Sequence, residues 1–179
     1  MMKKIILDLC GGTGSWAKPW KDAGYTVHTI TLPKYDVRYT QRTDDFLTFM
    51  NPKESENVLV VRKSSIYGIL AAPPCTMFSF ARTNAKTPRD LREGMGCVKA
   101  CLDIIWSCME VKQDTGKKTL PLKFWALENP YHGFLKSFLG KPAFTFDPWE
   151  FGDGYQKRTA LWGVFQRAKE ESSTNDERS

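Results

Sequence analysis

Apolar residues in this chain fall in short blocks separated by glycine, proline and charge, and the blocks alternate between strand-like runs and helical periods. Residues 3–9 form a near-continuous apolar run that predicts a buried strand. A glycine-rich turn follows at residues 10–15, then a short helix reaching Ala23 and a second strand over residues 25–31, an order that implies a parallel pair. The pattern weakens over residues 33–57, where a helix is expected around 44–50. Residues 58–61 and 66–72 read as two strands that either form a hairpin or leave the first as an insertion. The longest periodic segment predicts a helix with Leu91, Met95, Val98, Leu102, Ile105, Trp106 and Met109 on one face. Cys97, Cys101 and Cys108 fall on that face too and read as core thiols. Residues 123–127 predict a strand ended by Glu128, Asn129 and Pro130; a short helix near 133–139 and extended stretches at 143–147 and 159–165 complete the pattern. Strands alternating with helices predict an α/β fold with a mostly parallel central sheet and helices on both faces.

Composition narrows this picture. With 179 residues and 41% apolar content, one core is expected, with residues 1–168 as a single domain. The stretch KEESSTNDERS at 169–179 has nothing to bury and reads as a solvated or disordered tail. The formal charge is +6; the tail holds two basic and four acidic residues, so the rest carries +8, which favours a polyanionic partner. No apolar run approaches the ~20 residues of a membrane span, and residues 1–12 do not read as a cleaved signal, so an intracellular, cytoplasmic protein without a membrane partner is expected. Five cysteines without a Cys-x-x-Cys pair, and two isolated histidines, His28 and His132, argue against a metal site.

Chemistry concentrates at three predicted strand ends. Asp8-Leu9-Cys10-Gly11-Gly12-Thr13-Gly14-Ser15 follows a strand and opens a helix, where glycine lets a ligand approach the backbone. Pro73-Pro74-Cys75 leaves another strand stiffly, presenting a thiol placed to act as a nucleophile. Glu128 follows an apolar run that would partly desolvate it and raise its pKa, as a general acid requires. Singly, each has an ordinary alternative: a structural turn, a buried thiol, a solvated carboxylate. In an open α/β sheet, however, the carboxyl ends of strands share one ligand crevice.

Those residues, with Phe78-Ser79 after Cys75 and Gln156-Lys157-Arg158 later in the chain, occur in the order of the motifs of carbon-5 cytosine DNA methyltransferases, and the sequence resembles small, phage-type members of that family from about residue 5 to residue 165, with the interval between Tyr39 and Ser65 unmatched. The resemblance implies a Rossmann-like fold that binds S-adenosyl-L-methionine and methylates cytosine at carbon 5 in DNA. By position, Cys75 matches the family's nucleophile, Glu128 its acid at the base nitrogen N3, and Arg158, with Gln156 beside it, its arginine at the base carbonyl. Asp8, Cys10, Gly11, Gly12, Thr13, Gly14 and Ser15 match the cofactor turn. Pro74, Thr31 and the pair Asp36-Val37 complete the implied cofactor set, the pair against adenine. Ser79, Arg82, Asn129, Gln156 and Arg158 are the implied substrate contacts, with residues 78–88 as a mobile loop placing Arg82, Lys86 and Arg89 near phosphate.

The sequence departs from the family at three positions. Thr31 stands where an acid usually holds the ribose, Cys10 where a phenylalanine usually stacks on adenine, and Ala160 where a second arginine is common. The interval after Arg158 is too short for the family's target-recognition domain. The expected substrate is therefore duplex DNA with little sequence context, single strands or a cytosine nucleotide, or else a partner protein supplies recognition. A non-catalytic binding protein of the same fold, and the same chemistry on RNA, are the alternatives.

Overall fold

The computed structural model describes residues 3–80, 86–109, 111–112, 118–119, 122–152 and 157–166. Its elements run β1 (Ile5–Leu9), α1 (Lys18–Asp22), β2 (Thr26–Ile30), β3 (Gln41–Arg42), β4 (Phe46–Asn51), β5 (Ser55–Arg62), β6 (Ile66–Ala71), α2 (Leu91–Met109), β7 (Val111–Lys112), β8 (Lys118–Thr119), β9 (Phe124–Pro130), α3 (Leu135–Leu139), β10 (Phe144–Phe146) and β11 (Thr159–Val164).

Six strands form the central sheet in the order β10-β11-β9-β6-β1-β2. The β2-β1, β1-β6 and β6-β9 pairs are parallel, and β11 runs antiparallel between β9 and β10. The fold is thus α/β with a mostly parallel sheet, as the alternation of elements predicts. Side chains alternate between its faces. Leu7, Leu9, Ile69, Ala71 and Leu127 pack with α2 residues such as Val98, Cys101 and Ile105 on one side. Ile6, Leu70 and Ala126 pack with Ala17, Trp16 and Trp20 at α1 on the other. Because β2 lies on one side of β1 and β6 on the other, the strand order reverses at β1, the position at which open α/β sheets form a crevice at the carboxyl ends of their strands.

Three expectations are corrected. Residues 44–50 are not helical: β4 shows alternating burial, with Leu47, Phe49 and Asn51 inward, and pairs antiparallel with β5. A short apolar run carries no period that separates helix from strand, and pairing with β5 decides it. β5 belongs to a separate three-stranded sheet, β3-β4-β5, so of the two readings open for residues 58–61 the insertion holds. Glu128, Asn129 and Pro130 do not end their strand, because β11 pairs alongside them, with Leu161 opposite Glu128 and Ala160 opposite Asn129. The α2 face is also rotated from the predicted stripe: Gly94, Val98, Cys101, Ile104, Ile105 and Cys108 are buried, whereas Trp106 is 55% exposed. Cys101 and Cys108 are core thiols as expected, and Cys97 is half-buried.

One glycine fixes the β9–β11 pairing. Gly163 has φ +147°, and a Cβ there would overlap the carbonyl of Trp125 on β9. Gly163→Ala is therefore expected to cost about 1–3 kcal/mol from backbone strain alone, read as a lower urea midpoint at unchanged slope. Among the described residues, no helix is long and apolar enough to cross a membrane.

Candidate active site

The glycine turn is built over Asp8. After β1 the chain turns through Cys10 at φ 58°, whose N–H donates to the Ile30 carbonyl at 2.8 Å and ties the turn to the end of β2. Gly11 then passes so close above Asp8 that a Cβ would overlap the carboxylate. Asp8 is 0% exposed, and neither carboxylate oxygen has a hydrogen-bond partner. Burial pushes its pKa up to about 6; the hydroxyl of Thr29, its register neighbour on β2, lies near enough to pull the other way but does not reach hydrogen-bonding geometry. An unpaired buried carboxylate is costly to a folded protein and marks a place where a cationic group would be accepted. Beside it, Thr13, Gly14, Ser15, Lys18, Lys21 and Thr29 line a recess of about 470 Å³.

Cys10 also faces α2. The Cys101 thiol draws the Cys10 pKa down, against burial and the neighbouring Asp36 and Asp8 carboxylates. Asp36 is occupied: its carboxylate accepts Arg38 Nε at 3.0 Å, Arg38 Nη2 at 2.7 Å and the Arg38 amide at 3.0 Å. Burial works to raise the Asp36 pKa, but Arg38 outweighs it and holds the group below its ordinary value. Val37 is buried in the main apolar cluster, and Thr31, half-buried, accepts the Tyr35 amide at 3.0 Å.

The segment leaving β6 and the part of β9 that extends beyond it meet in a cleft of about 510 Å³ lined by Cys75, Glu128, Lys157 and Thr159 together with Pro73, Pro74 and Pro148. The Ala72 amide makes a 2.9 Å bond to the Leu9 carbonyl before the two prolines carry the chain out of the sheet. The Cys75 carbonyl then accepts both the Phe78 and Ser79 amides at 2.9 Å, closing a tight turn that sets the thiol's position. From β9, the Asn129 Nδ2 donates to the Pro73 carbonyl at 3.1 Å, and Asn129 is 0% exposed. Asn129 thus ties the Pro73–Cys75 segment to the strand that carries Glu128. Asn129→Ala should lower stability by about 1–3 kcal/mol, the usual result of stranding a buried carbonyl, and thermal unfolding at constant pH measures it. Burial raises the Glu128 pKa, and the Lys157 charge opposes the rise.

The remaining predicted residues divide. Ser79 is buried, bridges Gly133 through its backbone and accepts Arg89 Nη2 at 3.1 Å; it does not line the cleft. Residues 78–80 are therefore anchored rather than the start of a mobile loop. Arg89, expected near phosphate, is spent on the Met77 and Ser79 carbonyls and over the Phe134 ring, while Lys86 is exposed. Arg158 points away from the cleft, donating to Thr145 Oγ1 at 3.2 Å and lying over the Tyr131 ring. The cation in the cleft is Lys157, which sequence reasoning passes over; it precedes β11, so no strand alternation marks it in the sequence. Arg82, Gln156 and the 169–179 tail lie outside the described residues. No model of a known protein family matches this chain, and no curated protein matches it.

Proposed function

We propose that the chain is an S-adenosyl-L-methionine-dependent methyltransferase with a Rossmann-like fold, acting at carbon 5 of cytosine in DNA. The observation that carries this reading is a single cleft shared by a thiol just past the end of β6 and a carboxyl group with a raised pKa on the neighbouring parallel strand β9. The volume, about 510 Å³, suits a base with part of its sugar.

In this reading Cys75 adds as thiolate to carbon 6 of cytosine, while Glu128, whose pKa burial raises, donates its proton to N3 and neutralises the charge that the addition places on the ring. Lys157 and Thr159 hold the base edge. Carbon 5, now enamine-like, takes the methyl group that the cofactor supplies. Loss of the carbon-5 proton then expels the Cys75 thiolate and restores the ring. Asp8 is the residue whose environment fits the cofactor, because its unpartnered carboxylate would accept the ammonium group of the methionine moiety. Gly14, which lines the recess beside Asp8, would admit that moiety to the backbone.

The test is mass spectrometry of bases after incubation with isotopically labelled cofactor and cytosine-containing DNA, RNA and nucleotide. Labelled 5-methylcytosine is expected from DNA; its absence from all three overturns the reading. The commitment of Asp36 to Arg38 supports the non-catalytic alternative, since an acid expected against adenine is already paired. Calorimetry separates the two, because a protein that takes up no cofactor at millimolar concentration is not this enzyme.

A further inference from the structure

The surface beside the cleft combines cations held in place by aromatic rings with exposed aromatic side chains. Tyr131, next to the cleft residue Pro130, carries Lys136 Nζ at 4.4 Å and the Arg158 guanidinium at 5.3 Å from its ring centroid. Arg158 is further fixed by Thr145 and by its own carbonyl, which accepts the Tyr131 amide at 2.8 Å. Phe80, just after the turn that fixes Cys75, is 51% exposed and packs edge-on against Phe134 at 4.8 Å. Trp149, just after the cleft residue Pro148, is 58% exposed. It sits on a 3-10 turn, Pro148–Phe151, closed by a capping box in which the exposed Glu150 carboxylate accepts the Asp147 amide at 3.4 Å.

Two exposed aromatics adjacent in sequence to residues that shape the cleft, together with cations held over the Tyr131 ring, match the needs of an unstacked polynucleotide. Bases stack on exposed rings whatever their identity, and cations follow the phosphates. A duplex offers no free base faces to such rings, and a mononucleotide cannot span from the cleft to them. The net charge of +6 has the required sign. We infer that this face binds single-stranded nucleic acid, with Trp149 and Phe80 stacking the bases that flank the one in the cleft and Arg158 and Lys136 tracking the backbone. This rests on the cleft reading given above, and narrows its substrate to a single strand.

Binding is measured by fluorescence anisotropy in the Cys75→Ala protein, so that affinity is read without chemistry. The probes are a labelled cytosine-containing DNA strand, the same sequence as RNA, its DNA duplex, and a cytidine mononucleotide as competitor. The single strand should bind at least tenfold more tightly than the duplex. Trp149→Ala and Phe80→Ala should each weaken it by roughly tenfold, the scale of one lost stacking contact. Arg158→Ala should flatten the dependence of log affinity on log salt by about 0.7. The DNA and RNA arms identify which strand is preferred. Equal or tighter duplex binding, or aromatic variants within twofold of the parent, overturns the inference. Strand binding without methylation by the unsubstituted protein would sink the proposed reaction and leave this surface standing, whereas methylation of duplex alone would do the reverse.

Discussion

Cys75→Ala is expected to abolish turnover and, with DNA containing 5-fluorocytosine, to abolish the denaturant-stable protein–DNA adduct that the unsubstituted protein forms. The fluorine cannot leave as a proton does, so the reaction in the proposed sequence halts with sulfur bonded to carbon 6. Loss of a covalent nucleophile typically lowers turnover by on the order of 10⁴-fold or more. The side chain is small, half-buried and beside a cleft, and the turn around it is made by backbone bonds to the Cys75 carbonyl, so the substitution should leave the fold in place. Cys75→Ser supplies a harder test, because it keeps size and polarity while removing the thiolate. If either variant retained the adduct, the nucleophile would lie elsewhere. Glu128 gives the same cleft its pH dependence: the reaction needs its protonated form, so activity should fall as pH rises through its elevated pKa.

The second large effect concerns Asp8, and here activity and stability move in opposite directions. Its pKa stands at about 6 in the fold against 3.8 ordinarily, so between those values the folded chain holds a proton that the unfolded chain has released. Stability from this group is therefore highest below about pH 4, declines as pH rises toward 6, and stays at its lowest above. Asp8→Asn removes the buried charge and should raise the unfolding free energy at neutral pH by about 2–3 kcal/mol. The stability difference between variant and parent should vanish near pH 4. In the same variant, S-adenosyl-L-methionine binding by calorimetry should be largely lost, since an amide cannot balance an ammonium group. An Asp8→Asn protein no more stable than its parent at neutral pH would mean that the carboxylate is satisfied in the folded chain and that no cation is awaited there.

The frame of the site is legible in the sequence wherever a signal is local. The continuous apolar run before Asp8, the glycines after it, and the prolines that carry Cys75 out of β6 each act through their own backbone constraints, and each lies where it is expected. What cannot be read depends on a distant partner. Glu128, Asn129 and Pro130 look like a strand terminus because nothing nearby sustains the strand; β11 does so from much further along the chain. Lys157 and Arg158 lie just before β11, and Arg158 is drawn away from the cleft by Thr145 and Tyr131, contacts on which motif order is silent. The run from Phe46 to Met50 misleads because strand and helix compete evenly in so short a segment, and the antiparallel partner β5 comes later in the chain.

The overhang of β9 beyond β6 has a consequence for how such a site can vary. Pairing with β6 stops at Leu127, so Glu128 is addressed by its register with β11 and by the single Asn129 bond to Pro73. Register changes in whole residues, and one step would bring Leu127 or Asn129 to the position of the acid and turn Glu128 to the opposite face. The distance between thiol and carboxyl is accordingly quantised. Substitutions around β9 and β11 should divide sharply into those that leave the pair aligned and those that disconnect it, with few intermediate cases.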